Sequence, residues 1–577
     1  MVLTAWQRMG GWSDRRSVRL VAAWVVLVGL AVHLIHFVLQ YGHNLPANDE
    51  WAFVPVYFDS ASAKWDWLFE RHSEHRYPLA RGIFLGLLWL TNSDFRAGMV
   101  LSVGLLIASA ALLIVAARRL RSSSVGGSEP SWSDCWFPLL MLHRGHCENV
   151  LMGYQIAFTL TVFAVSLAIF TAVKSVSWPR DRTTGVTLFA VVVVAFGGGV
   201  GFVFAPPLIA WLVYHLAAKA PVRVRVVDGV AALTILLVMA WLSWTAWEAF
   251  RNPSAARNPF DVTVHVVNEA AAMAVGPMSL FRANWYGPPV LTAAVVTGGV
   301  LLWQLGRKPE GRSVPLGLLA VLVGTLGFLA AVGVTRPSGF APRFAAIACL
   351  LPALAVLTAA GWMPRFRSDS TMSLLFVAVG GLLLVRGNDA AGGHYALPYH
   401  RSFELVEADI HAGVPLNLFA DRHTLYWSTG FPEYWKVLRD HGHAVAKAIA
   451  PPQNFDTIPI NMAATLAAPA RLPSATRGHS RVLLPGCVAP HVLAVRFRFR
   501  TSQLAQWETF HFHWMSRTPD GREVAKFDVA TQWVTPGEST VTAWIDGPFL
   551  GGAVDCGWPG RSVEIVSAEW LLPVANP

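Results

Sequence analysis

The sequence predicts a polytopic α-helical membrane protein that carries a β-sandwich at its C-terminal end. Three observations predict it. Of the 577 residues, 54% are hydrophobic and only 14% charged, where a soluble domain carries roughly 25% charged residues. Apolar runs long enough to cross a bilayer recur as far as residue 387. Beyond about residue 475, apolar and polar side chains alternate with the period of a half-buried strand.

The apolar runs lie near 18–40, 95–117, 130–146, 156–176, 184–199, 201–217, 228–247, 286–305, 314–334, 341–361 and 371–387, about 11 transmembrane helices. The first is too long for the apolar region of a signal peptide, and no small-residue cleavage site follows it, so it is read as a retained helix. Arg15, Arg16, Arg19, Arg118, Arg119, Arg121, Lys174, Arg180, Lys219, Arg223, Arg307, Lys308, Arg365 and Arg367 then all fall on one side, which the positive-inside rule makes cytoplasmic. The N-terminus is inside, and everything after residue 387 is extracytoplasmic. This bookkeeping requires that 78–92 does not cross. That run is short, holds Arg81, and reads as a juxtamembrane helix lying in the outer interface. Loop arginines account for much of the basic pI near 9.6, and no nucleic-acid-binding motif is present. Abundant Ala, Gly, Val and Arg point to a GC-rich bacterial genome, hence a bacterial inner (plasma) membrane.

The chain divides into a transmembrane domain over 1–387, a mixed extracytoplasmic linker region over 388–474, and a β-sandwich or jelly roll over 475–577. Helical patterning marks 400–412 and 434–449, and 451–473 is rich in Pro and Ala. Val495, Phe497 and Phe499 alternate with Arg496, Arg498 and Arg500, and Phe510, Phe512 and Trp514 alternate with His511 and His513. Trp507, Trp514, Trp533, Trp544 and Trp558 read either as a glycan-binding surface or as core. Of the five cysteines, Cys487 and Cys556 lie where oxidation is allowed and read either as a disulfide or as two free thiols.

The chemistry-bearing residues concentrate in the first outer loop, 41–94. Asn48-Asp49-Glu50-Trp51 follows directly on the first span, and His72-Ser-Glu74-His75-Arg76-Tyr-Pro78 comes later in the same loop. Carboxylates at a membrane rim are costly and point to function. A transferase that takes a sugar from a lipid phosphate needs a carboxylate to accept the proton of the acceptor hydroxyl. It needs cations, or a metal, for the leaving phosphate, and an apolar groove for the lipid tail. Asp49 fits the first need, and Arg71, Arg76, Arg336 and Arg343 the second. Asn-Asp-Glu ahead of an apolar stretch has an alternative reading as a helix N-cap with solvated acids. His72, Glu74, His75 and Arg76 suit phosphate, acceptor or a divalent cation. No residue is assigned to a metal.

This order of features resembles the GT-C superfamily of polyprenyl-phosphate-sugar-dependent glycosyltransferases. It is most similar to the branch that contains protein O-mannosyltransferases and lipid A aminoarabinose transferases. In that branch an acidic pair after the first span opens a juxtamembrane helix. A Pro-containing second juxtamembrane helix follows, and an Arg starts the next span. Here these read Asn48-Asp49-Glu50-Trp51, Tyr77-Pro78-Leu79 and Asp94-Phe-Arg96. The resemblance covers about 1–215, is faint to 387 and is absent beyond. His75-Arg-Tyr-Pro78 stands where the branch often has Lys-Pro or His-x-Pro. The resemblance implies Asp49 as base, Glu50 as helper or structural neighbour, direct displacement with inversion, and many members that work without a metal.

Three further features complete the reading. His143-Arg-Gly-His146-Cys-Glu148-Asn149, with Gln155, sits at the end of the third run, either as substrate contacts or as an interfacial loop. The family often has an acidic residue near the start of the next helix, and Glu148, Asn149 or Gln155 could fill that role. Arg336 and Arg343 lie in a late outer loop, where the family commonly places a basic residue near the lipid phosphate. Gly197 to Gly201 reads as a tight turn. The expected function is transfer of a sugar from a polyprenyl-phosphate-linked donor to an extracytoplasmic cell-wall glycan, lipid-linked saccharide or protein, with membrane lipids around it. The rival functions are a lipid-linked glycan transporter or flippase, and a non-catalytic membrane-anchored glycan-binding protein. Few charges inside the spans and no clear repeat argue against transport.

Overall fold

The structure, a computed structural model, describes residues 16–58, 61–70, 76–125, 130–198, 201–217, 283–307, 311–335, 342–363, 370–422, 431–460, 480–484, 486–487, 489, 491–501, 506–518, 520–534, 537–556 and 564–574. The helices are α1 (Arg16–Tyr41), α2 (Phe53–Phe58), α3 (Ala61–Phe69), α4 (Pro78–Leu90), α5 (Arg96–Val125), α6 (Trp136–Met141), α7 (Cys147–Leu151), α8 (Ile156–Lys174), α9 (Arg180–Phe196), α10 (Gly201–Ala217), α11 (Ala283–Arg307), α12 (Ser313–Thr335), α13 (Leu350–Trp362), α14 (Ser370–His411), α15 (Leu416–Arg422) and α16 (Phe431–Asp440). Six described helices are long and apolar enough to cross a membrane: Arg16–Tyr41, Arg96–Arg121, Gly153–Lys174, Gly287–Arg307, Ser313–Val332 and Pro342–Trp362. The protein is thus a polytopic helical membrane protein with a strand-rich C-terminal domain. The run at 228–247 lies outside the described residues.

The third apolar run, 130–146, is not one helix. Three-residue and four-residue 3-10 turns and the short helices α6 and α7 carry the chain from Trp132 to Leu151. At one end the Asp134 carboxylate accepts from Arg118 Nε at 2.9 Å and from Arg121 Nη2 at 2.5 Å. At the other end a Cβ on Gly98 would fall 2.6 Å from the Cα of Gly153, so the two backbones touch there. Arg118 and Gly98 lie about 30 Å apart along α5 at 1.5 Å per residue. The segment therefore covers the thickness of a bilayer core with an interruption at Leu142–His146. Such a break is tolerated at that depth only when protein encloses it, and here His143, His146, Glu148 and Asn149 are all buried. Asp134 with Arg118 and Arg121 also puts charge inside the bundle, which the apolar runs alone did not disclose.

Helix α4 has 13 residues, about 20 Å of rise, too short to cross. Buried Arg81 fastens it to α3: the guanidinium donates to the carbonyls of Trp67 and Glu70 and lies 4.2 Å from the Trp67 ring centroid. After Phe196, Gly198 takes a φ of +125° against the Tyr77 ring, a conformation and a proximity that a side chain would oppose.

The strands are β1 (Phe455–Pro459), β2 (Ser480–Leu484), β3 (Val492–Thr501), β4 (Gln506–Arg517), β5 (Glu523–Val534), β6 (Gly537–Gly547), β7 (Gly551–Cys556) and β8 (Glu564–Pro573). They form two antiparallel four-stranded sheets, ordered β1-β8-β3-β6 and β2-β7-β4-β5. The alternation read in the sequence decides which side faces in. Phe497 and Phe499 of one sheet meet Phe512 and Phe510 of the other, with ring centroids 5.6 and 4.9 Å apart. The intervening arginines face outward and pair across strands, Arg496 with Glu569 at 3.1 Å and Arg500 with Glu538 at 2.5 Å. Trp514 is core, whereas Trp544 is half-buried. Cys487 is a free thiol.

The chain forms two compact units. One holds Met1–His43 and Ser60–Pro398. The other holds Asn44–Asp59 and Tyr399–Pro577. The loop that carries Asp49 and Glu50 thus belongs to the unit that contains the β-sandwich, a sorting that the order of residues along the chain conceals.

Candidate functional site

The acidic pair opens a 3-10 turn, Asn48–Ala52, that runs into α2. Asn48 takes a left-handed φ of 52°, which Asn tolerates better than most residues. Its two acids have separate fates. Glu50 is 1% exposed and its Oε2 accepts from the Ala47 backbone N–H at 2.8 Å, the reciprocal half of a capping box. Asp49 is exposed. Trp51, the next side chain, is buried and meets Trp435 edge-on at 4.7 Å between ring centroids. Within Asn-Asp-Glu, the capping role therefore falls to Glu50, which reaches back from the third position of the turn to the N-cap residue Ala47, and Asp49 is the exposed carboxylate.

In the bundle unit the second cluster forms around the interrupted span. Glu148 accepts from Arg343 twice, from Nη1 at 2.8 Å and from the backbone N–H at 3.0 Å. Asn149 Nδ2 returns a bond to the Arg343 carbonyl at 3.0 Å. Arg343 lies in the 3-10 turn Pro342–Phe344 which, with a short helix, leads into α13. The break in one membrane segment and the entry to another are thereby locked together. Gln155 is buried in the turn that follows α7. His143 and His146 stack, with centroids 4.3 Å apart and planes 17° from parallel. His146 Nε2 bonds the Leu140 carbonyl at 3.0 Å, and the Nδ1 atoms of both rings have no hydrogen-bond partner.

Asp389, on α14, adds a residue that the sequence reading did not single out. One oxygen hydrogen-bonds His33 Nε2 of α1 at 2.8 Å, and the other accepts from the Arg144 backbone N–H at 2.9 Å. Gly392, one turn further on, lies so close to the Arg144 carbonyl that a Cβ there would collide with it. Helix α1, helix α14 and the approach to α13 thus converge on the break. The signal was available: Asn388-Asp389 follows immediately on the apolar run 371–387.

Of the other residues singled out in the sequence, Arg76 is half-buried in the bundle unit. His72, Glu74, His75 and Arg336 lie outside the described residues. The structure brings Glu148, Asn149 and Arg343 together, places His143 and His146 beside them in the chain, and assigns Asp49 and Glu50 to the other unit. Among the described residues no group of three His, Cys, Asp or Glu side chains could hold a metal ion. Arg96, expected at the start of its span, is paired with Asp94 at 2.7 Å, and the Asp94 carboxylate also caps α5 by accepting from the Arg96 N–H at 3.0 Å.

No family model and no curated protein matches the chain. Among solved structures, the Archaeoglobus fulgidus oligosaccharyltransferase, crystallised in complex with Zn and sulfate, is similar over 94% of this chain and 98% of that one, at 10% identity and a TM-score of 0.39. A superposition that loose carries no argument about fold or activity, and the functional reading stands on this chain's own residues.

Proposed function

We propose that the protein is an integral membrane glycosyltransferase of the GT-C kind. It moves a sugar from a polyprenyl-phosphate donor to an extracytoplasmic acceptor, with Asp49 as general base. The observation that carries this reading is the division of roles within the acidic pair. Glu50 is buried and committed to the Ala47 N–H, while Asp49 is exposed at the start of the same turn.

In this reading Asp49 accepts the proton of the acceptor hydroxyl as its oxygen attacks the anomeric carbon. The bond from that carbon to the phosphate oxygen breaks, and its electron pair leaves with the lipid phosphate. Direct displacement inverts the anomeric centre. Cationic side chains stabilise the charge that gathers on the phosphate. Arg343 is the best-prepared of these, because Glu148 and Asn149 fix both its backbone and its guanidinium. Arg76, His143 and His146 stand as further substrate contacts. A divalent cation, if one takes part, would draw on the His72, Glu74 and His75 cluster.

The test is complementation. A strain deleted for this protein should lose one envelope sugar. Wild type should restore it, and Asp49→Asn, at equal membrane abundance, should not. Full restoration by Asp49→Asn would remove Asp49 from the mechanism.

A further inference from the structure

We propose that Trp435 is a positioning residue for Asp49, so that the compact unit carrying this carboxylate also holds it in place. The inference rests on the reading of Asp49 as base.

Short exposed loops do not hold a carboxylate still unless something buried anchors them. The Asp49 loop has such an anchor two residues on. Trp51 is 2% exposed, and its ring meets Trp435, which is fully buried on α16. Trp435 is held from behind by Phe419 of α15, ring to ring at 4.8 Å and perpendicular. At the far end of α2, Phe58 stacks on His441, just past α16, at 4.3 Å. The helix that follows the acidic pair is therefore fixed to α16 at both ends. The Glu50 bond to Ala47 and the left-handed Asn48 then set the turn between them. These contacts join residues nearly 400 positions apart in the chain and lie wholly within one compact unit.

The Trp435 indole N–H has no hydrogen-bond partner. That position therefore exploits the ring and not its polar handle, so Trp435→Phe keeps an aromatic face and removes an unsatisfied donor, whereas Trp435→Ala removes the anchor.

Two measurements test the proposal. In the transfer assay, Trp435→Ala should lower kcat on the order of 100-fold, the cost of an ångström-scale misplacement of a catalytic group, with KM little changed and Trp435→Phe close to wild type. In an Asp49→Asn background the same Trp435→Ala should cost nothing further, because its effect runs through Asp49. Separately, a nitroxide on Asp49→Cys, in a Cys487→Ser, Cys556→Ser chain, should become markedly more mobile when Trp435→Ala is added. This second readout does not depend on glycosyl transfer. Increased mobility of the label, together with full transfer by an unlabelled Asp49→Asn protein, would leave the anchoring intact and sink the reading of Asp49 as base. Unchanged mobility, or equal losses in both backgrounds, would overturn the positioning role.

Discussion

Arg343 and Glu148 are joined through both backbone and side chain: one carboxylate accepts from the guanidinium at 2.8 Å and from the Arg343 amide at 3.0 Å. The Glu148 side chain is 6% exposed and that of Arg343 24%. Breaking either partner leaves the other poorly solvated. Glu148→Ala and Arg343→Ala should each lower the melting temperature of the detergent-solubilised protein. The double variant should lose less than the sum, with a coupling of about 1–3 kcal/mol. Additive losses would show that the contact contributes little.

Arg343→Lys should keep the fold and lose transfer. A lysine supplies charge but cannot reproduce the planar fork that Glu148 holds, which the proposed contact with the lipid phosphate requires. A lysine variant with wild-type kcat would place the phosphate elsewhere.

Gly392→Ala should destabilise the bundle by about 1–3 kcal/mol, since its Cβ would meet the Arg144 carbonyl and force α14 away from the break. Asp389→Asn should act at the same junction by weakening the bonds to His33 and Arg144. Thermal melts of both variants check this. A Gly392→Ala protein as stable as wild type would mean that α14 does not pack against Arg144.

In the other unit, Arg422 of α15 is buried between Asp409 of α14 at 2.5 Å and Asp528 of β5 at 2.6 Å, and Asp528 also accepts from the Trp544 N–H at 3.0 Å. Burial works against the guanidinium charge, but the two carboxylates outweigh it and hold its pKa above the usual value. A raised pKa gives stability that is present below the unfolded-state value and lost only as pH rises through the folded one. The pairing therefore keeps its full contribution across the neutral range. Arg422→Ala should cost about 3–5 kcal/mol by stranding two acids. Replacing all three residues with apolar ones should recover much of that loss. A single variant with an unchanged melting temperature would contradict the buried-pair account.

The fold was legible where one periodicity dominated. Val495, Phe497 and Phe499 announce a strand because every second side chain is apolar, and the sandwich follows from several such runs. The long spans announce themselves by length. The segment from Trp132 to Leu151 did not, because hydropathy averages over a break: the apolar side chains of Trp136–Met141 look like part of a continuous helix until His143 and Arg144 interrupt them. Glu148 and Arg343 were each visible as charged residues near membrane ends, but 195 residues separate them, and nothing local reports the bond. The resemblance implied Asp49 as base and Glu50 as helper or structural neighbour, but the residues by themselves did not say which acid caps the turn, for a similar reason. Which acid caps and which faces solvent depends on the turn geometry at Asn48 and on the burial of Trp51 against a tryptophan far along the chain.

The most direct measurement compares Asp49→Asn with Glu50→Gln in a purified transfer assay, alongside their melting temperatures. The account predicts that Asp49→Asn loses activity by about 100-fold or more with an unchanged melting temperature. Glu50→Gln should retain measurable turnover but melt earlier, because its Ala47 bond is weakened. The opposite pattern, full turnover in Asp49→Asn with the loss falling on Glu50→Gln, would contradict the division of roles on which the mechanism rests.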